Sequence, residues 1–526
     1  AGYVEFRTKD YLEQNFAKVE GGQFGTWRAV SAINLLKASK QQHSLYVATE
    51  ASFTKGYFEN AQDFSRFNAV LKYHGNLSAN SKLTITTSGF TSKWNASGQI
   101  PDRAVNNGVI GWFGAIDSKE GGKTSRYNLN SELTTHLGNG LTLKNQLLYT
   151  RYLFELYSNF TFLLNDPVNG DQIRQKEARN LLFLQSTIEK EHHVGTIPSR
   201  FSAGLQTRYD ATSHSELSRT KDRTIVTSPI MNGNIHELNT GLYIQEKLKF
   251  NARFDATFGL RGDYFWNQYR DYLNPAVLQS NSFIVSPKFN LNYHVNKRVQ
   301  LYWYGGQSFH SNDTRVAVQQ NGKAVVTPAW GSDLGGIFKL GNKVVLQTAF
   351  WYLWLKQEFV YVGDEGVVEP GGQTRRMGWD ASIRYELIKN LYADIDVSVT
   401  NPRAIGLPKQ ESYLPLAPRF TSTGGFSYRK AKGINGSLRY RWMANRPANE
   451  DYSTIAKGYF VCDAAINYTA KKWEVGLTVQ NIFDTKWKET QFDTESRLQN
   501  EAAPISEIHF TPGTPFFARC SFSIYF

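Results

Sequence analysis

Between Leu391 and Thr400 the chain reads LYADIDVSVT. Leu391, Ala393, Ile395, Val397 and Val399 are apolar, whereas Tyr392, Asp394, Asp396, Ser398 and Thr400 are polar or amphipathic. Successive side chains of a strand point to opposite sides, so a period of two gives one greasy face and one wet face. A helix would instead repeat its apolar residues every three or four positions. The alternation returns in Phe254, Ala256, Phe258 and Leu260 against Asp255, Thr257 and Arg261. It returns again in Ile434, Gly436, Leu438, Tyr440 and Trp442 against Asn435, Ser437, Arg439 and Arg441, and in Trp473, Val475, Leu477 and Val479.

Composition says what the greasy face meets. The 526 residues include 34 Phe, 28 Tyr and 12 Trp, yet the hydrophobic fraction is only 41 % and the mean hydropathy is −0.44. A membrane-crossing helix needs roughly 18 or more consecutive apolar residues, and the longest such run here is Ala349 to Leu355. A barrel strand crosses with about 9–11 residues and alternates lipid-facing with lumen-facing positions, so its average hydropathy looks soluble. The two cysteines, Cys462 and Cys520, fall on the apolar parity of their segments and are read as small lipid-facing hydrophobes, not a disulfide. The charge of +13 comes from 59 scattered basic residues without a nucleic-acid motif, so nucleic acid is not expected as a partner. The opening AGYVEFRTKD is no signal peptide, which a mature or truncated product explains as well as cytoplasmic residence does.

A soluble sandwich also alternates, so the connections carry the distinction. Short polar turns at Asn80–Lys82, Gly138–Gly140, Val295–Lys297, Gly341–Lys343, Lys389–Asn390, Lys430–Gly433 and Ala470–Lys472 interleave with long insertions. The insertions include Asn95–Lys123, Asn159–Glu177, Ser218–Asn234, Ser311–Thr327, Gly363–Gln373, Asn401–Leu416, Asn445–Lys457 and Lys488–His509. Tight turns on one rim and long loops on the other predict an all-β fold, a transmembrane antiparallel up-and-down β-barrel with short periplasmic turns and long extracellular loops. Counting hairpins predicts about 22 strands between Asn15 and Phe526. Trp351, Tyr352, Trp354, Trp442 and Trp473 are expected as aromatic girdles at the membrane interfaces.

The final strand puts Ala518, Cys520, Phe522, Ile524 and the terminal Phe526 on one face, which resembles the assembly signature of outer-membrane barrels. Asn481-Ile482-Phe483-Asp484 followed by Trp487 is similar to the NLFD-x-x-aromatic motif of TonB-dependent receptors. Ala1 to Lys9 resembles the end of their N-terminal plug, and Gly306 to Arg315, GQSFHSNDTR, resembles a GFHSND-x-R segment of some of them. Gln491 to Pro515, with FDTESRL and HFTPGTP, is similar to a last-loop pattern of a receptor group common in Bacteroidetes. The resemblance implies residues 1–12 as a remnant of the plug end and linker, and 13–526 as the barrel. A plug and TonB box are absent from the sequence. It further implies uptake of a scarce nutrient, most commonly a ferric siderophore or another metal chelate, energised by the TonB complex through the missing plug. Lipopolysaccharide, outer-membrane lipid and a surface lipoprotein are the implied neighbours. The competing class is a passive channel or structural barrel within a larger surface complex.

Candidate ligand contacts are Arg103, His310, Asn312, Asp313, Arg315, Arg376, Arg439, Arg441, Arg446, Arg497 and His509. Arginine favours bidentate pairing with carboxylates, so a cationic wall at Arg439 and Arg441 suits an anionic ligand or plug carboxylates. The plain alternative is solvated lumen charge. His310 and His509 could touch a metal complex, but no metal-ligand spacing accompanies them. Ser308, His310 and Asn312 share one strand face, where side chains stand in a row and cannot converge on one atom. No enzyme chemistry, resident metal or cofactor is expected. The long loop Trp94 to Gly122 is expected to fold over the mouth and form part of a ligand vestibule.

Overall fold

The computed structural model describes residues 6–36, 43–319, 325–357, 359–362, 367–370 and 372–526. Residues 1–5 of the plug-like opening, and parts of the predicted loops Ser311–Thr327 and Gly363–Gln373, lie outside the described residues. Twenty-two antiparallel strands form one continuous sheet. Each pairs with the next in sequence, and the last, Phe517–Tyr525, pairs with both Trp473–Gln480 and the first, Phe16–Gly22. The ring is therefore closed. Closure leaves no strand edge within the sheet for lipid to strand without a hydrogen-bond partner. Backbone bonds between Asn15 and Phe526, 3.0 Å in each direction, complete the seam at the rim where both ends of the sheet lie.

Short turns gather on that rim, as predicted. Asn139 and Gly140, both at positive φ (48° and 72°), join Glu120–Gly138 to Leu141–Ser158, the conformation a two-residue hairpin turn demands. The opposite rim carries the insertions, with one correction. Ser218–Asn234 is not a loop: Ile197–Lys221 and Ile225–Lys249 run as strands of 25 residues each, joined by the tight turn 222–224. Polar composition misled the reading there, because strand tops standing clear of lipid need no greasy face.

Side-chain parity follows the sequence. Leu147 pairs with Leu184 and Leu205 with Leu242 across neighbouring strands, and all four are exposed on the outer wall. So large an exposed apolar belt fits lipid and not water. Cys520 is exposed and Cys462 is covered on the same outer face; neither forms a disulfide. Trp351 is a second correction. Tyr352, Trp442 and Trp473 are exposed on the outside, but Trp351, one residue out of phase with Tyr352, turns into the lumen and lines a hollow of about 760 Å³ with Asp333, Asp380 and Asp396. A run of three aromatics within four residues cannot all share one face of a strand.

The segment ahead of the barrel enters the lumen. Lys72, buried on the inner wall, donates to the Thr8 carbonyl (2.9 Å) and to Asp10 Oδ1 (2.8 Å). Tyr46 donates to the Lys9 carbonyl at 2.9 Å and Ser44 to that of Asp10 at 2.6 Å. Arg7 lines a lumenal hollow of about 820 Å³.

Candidate ligand vestibule

The outer loops build a packed roof. Lys488–Ser496 and Ile505–Pro512 form a hairpin, and Ile100–Pro101 of a different loop adds a third strand to it through Pro101 opposite His509 and Ile100 opposite Phe510. Ile100, Ala448, Ala456, Ile508 and Phe510 make a common apolar core beneath, drawn from three loops. Loop segments of this length stay ordered only when they bury such a core.

Two predicted ligand contacts lie inside this roof. Arg103, in the short helix Asp102–Asn106, is buried. It donates two hydrogen bonds to Glu501 (2.7 and 2.8 Å), two to Glu507, one from the guanidinium (2.9 Å) and one from the backbone N–H (3.0 Å), and one to Ser496 Oγ (3.0 Å). These charge-assisted bonds clamp one long loop to another. His509 is fully buried, stacked on Phe162 with ring centroids 6.1 Å apart. Its Nδ1 donates to the Glu507 carbonyl (3.2 Å) and Ser496 Oγ donates to Nε2 (2.7 Å), the neutral tautomer. Burial holds its pKa down at about 4. Arg497 reaches the same region through its backbone, donating to the Thr161 carbonyl at 3.2 Å.

The His310–Arg315 segment folds inward. Gly306 is the last residue of its strand to pair with Ala276–His294, opposite Lys288. A Cβ there would stand 2.8 Å from the Pro287 carbonyl oxygen, so the bend needs glycine. Beyond it Phe309 packs on a cluster containing Phe265 and Ile284 of the inner wall. The helix Thr314–Gln319 follows. Asn267 donates to Thr314 Oγ at 2.7 Å, and Arg315 donates to both oxygens of Asp313 (3.0 and 2.6 Å) and to Ser215 (3.2 Å). Asn312 is buried and donates to Thr327 at 3.1 Å, while His310 is exposed at the strand end. His310 and His509 thus lie in different substructures, the inward fold and the roof.

Lower down, Arg439 makes a bidentate ion pair with Asp394, one bond of 2.7 Å. Gly425 sits opposite both residues on the intervening strand, so the pair closes over a position without a side chain. Arg384 pairs with Asp396 (2.9 Å) and Arg441 with Asp463 (3.7 Å). Arg376 stands on the same inner wall near the mouth, two residues from Gly378. A hollow of about 930 Å³ opens beside Arg384, Asp394 and Arg439. Arg446 differs from these: it is buried where Arg446–Pro447 pairs with Ile455–Ala456, and its Nη1 meets no acceptor among the described residues. Among the described residues no group of three or more His, Cys, Asp or Glu could hold a metal ion.

The NIFD motif proves to be a structural knot. Asn481 and Asp484 both take positive φ. The Asn481 side chain donates to the carbonyls of Thr485 and Thr514 (2.9 Å each) and accepts from the Thr485 N–H (3.0 Å), while Asp484 accepts from the Phe516 N–H (2.8 Å). It draws together the two feet of the loop that carries the roof hairpin.

The family model described as TonB dependent receptor-like, beta-barrel matches residues 49–482. The chain belongs to the TonB-dependent receptor family. Its members are outer-membrane proteins, so the apolar belt lies in that membrane. No curated protein matches it in sequence. Among solved structures, the ferric citrate transporter FecA in its unliganded form superposes with a TM-score of 0.83 at 13 % identity, covering 99 % of this chain and 80 % of FecA. The siderophore receptor PiuA from Acinetobacter baumannii gives 0.80 at 12 %, covering 99 % and 82 %. The ferric-catecholate import receptor Fiu from E. coli K12, in its closed form, gives 0.77 at 15 %, covering 99 % and 83 %. At such identities these likenesses establish a shared fold for this TonB-dependent receptor.

Proposed function

We propose that this receptor imports a scarce nutrient, a ferric siderophore or another metal chelate, with energy supplied by TonB through a plug. The observation that carries the reading is the pairing of a packed, multi-loop roof with a wide polar lumen. A general pore has little use for loops cross-clamped by Arg103, whereas a receptor needs a preorganised mouth. Residues 6–12, held on the inner wall, support the assignment of 1–12 as the tail of a plug and its linker, with the barrel following from 13. Arg376, Arg441, Arg446, Asp313 and Arg315 are the ligand or plug contacts we retain. Arg103 and His509 position the roof.

The test is growth of a receptor-deleted strain carrying the full-length gene on defined ferric chelates, with and without functional TonB. Rescue by at least one chelate that vanishes without TonB supports import. Rescue independent of TonB points instead to a passive channel.

A further inference from the structure

Six successive hairpin turns on the short-turn rim, residues 249–253, 295–298, 339–343, 389–390, 429–432 and 470–473, hold twelve lysines and arginines and no aspartate or glutamate. The strands they join are neighbours around the ring, from Ile225–Lys249 to Trp473–Gln480, so the cations form one continuous arc. All twelve are exposed, and none makes an ion pair among the described residues.

The charge is confined to one side. The three preceding turns of the same rim, 78–81, 137–141 and 194–197, carry no charged residue. Lys144 and Arg200, beside two of them, both pair with Glu189 (2.8 and 2.5 Å). Nor does the arc merely follow the basic excess of the chain, since segment 488–512 of the roof holds five acids against two bases. So many like charges along one arc set up a positive potential that only an extended anionic surface relieves.

Depth decides which surface that is. Tyr293, Tyr385, Tyr468 and Trp473 are exposed on the outward parity of their strands, each within four residues of an arc cation. Outward tyrosines and tryptophans mark the boundary between hydrocarbon and water. Four residues of strand reach only about 13 Å, so the arc stands in the headgroup layer of the periplasmic leaflet. Lysine and arginine at that depth are attracted to anionic headgroups, an attraction that fades beyond about 8 Å in physiological salt.

We propose that this arc gathers anionic phospholipid headgroups of the periplasmic leaflet along one side of the barrel. The side with neutral turns takes zwitterionic and anionic lipids alike. The arc concerns how the barrel is seated in its membrane, so it stands whether or not the import reading holds.

The full chain is folded in micelles holding phosphatidylglycerol and phosphatidylcholine in equal amounts, and the lipids it retains are counted by native mass spectrometry. Phosphatidylglycerol should exceed phosphatidylcholine about fivefold or more, the gain from a single cation at an anionic surface. The variant Lys430→Gln/Lys432→Gln/Lys471→Gln/Lys472→Gln should lower that excess about twofold or more. An equal change of charge in the outer loops, Lys55→Gln/Lys119→Gln/Lys457→Gln/Lys486→Gln, should leave it as it is. Inorganic phosphate added at the concentration of the lipid should displace none of it, because a free ion lacks the charge density of a leaflet. All these substitutions are at exposed positions, and the compact form on gels checks that each variant has folded. Equal retention of the two lipids overturns the proposal and leaves an acidic protein surface as the partner of the arc. An undiminished excess in the arc variant, an equal loss in the outer-loop variant, or displacement by phosphate also overturns it.

Discussion

Arg103 shows how a single side chain can tie two long loops together. It bridges Glu501 and Glu507 from within the roof, and removing one member of a buried ionic group strands the others. Arg103→Met should therefore destabilise the roof by about 3 kcal/mol while sparing the barrel. Limited proteolysis would show new cleavage within 97–119 and 488–512, with an unchanged unfolding midpoint for the strands. Acid should act in the same place. The His509 imidazole titrates at about 4 in the folded state and near 6.5 when released, so between those values the released form binds more protons and roof stability falls as pH falls. Across the whole window the loss is on the order of 3 kcal/mol. Arg103 also holds the Glu501 carboxyl below its usual range, which adds a loss in the same direction at still lower pH. Protection factors of the 505–512 amides, corrected for the intrinsic pH dependence of exchange, should be high at neutral pH and markedly lower near pH 5; a His509→Gln variant should flatten that dependence.

Single strands were largely legible and their companions were not. Period-two alternation located Leu391–Ala404 and the final strand Phe517–Tyr525, because a strand with lipid on one side has no freedom in parity. The inward fold of Phe309 and the helix Thr314–Gln319 was invisible, since its cue is a glycine pair, Gly305-Gly306, and not a periodicity. Arg439 was correctly placed on the wet face, but its partner Asp394 lies 45 residues away, and no local pattern announces a pairing across an intervening strand. That pairing makes Gly425 a critical element position. A Cβ there would stand 2.0 Å from the Leu438 carbonyl oxygen at a φ of 147°. Gly425→Val should cost on the order of 2 kcal/mol through backbone strain and overpacking, read as a lower temperature for loss of the compact form on gels. Gly21→Ala, whose Cβ meets nothing within 4 Å, should leave that temperature unchanged.

The ring as a whole follows from one physical demand, that every backbone donor and acceptor in hydrocarbon be paired by another strand. That demand made the strand count, the two rims and the closure readable from sequence. The roof was less readable because its contacts join residues some 400 positions apart: Arg103 with Glu507, Ile100 with Phe510. Arg103 and His509 stand out in the sequence by residue type and loop position, which mark importance without distinguishing a ligand contact from a clamp. The most direct measurement places nitroxide labels one at a time from Leu391 to Thr400, in a Cys462→Ala/Cys520→Ala background reconstituted in lipid, and compares collision with oxygen and with a water-soluble nickel chelate. Oxygen access should peak at 391, 393, 395, 397 and 399 and nickel access at the residues between; equal access at both parities would contradict a closed barrel with lipid outside and water within.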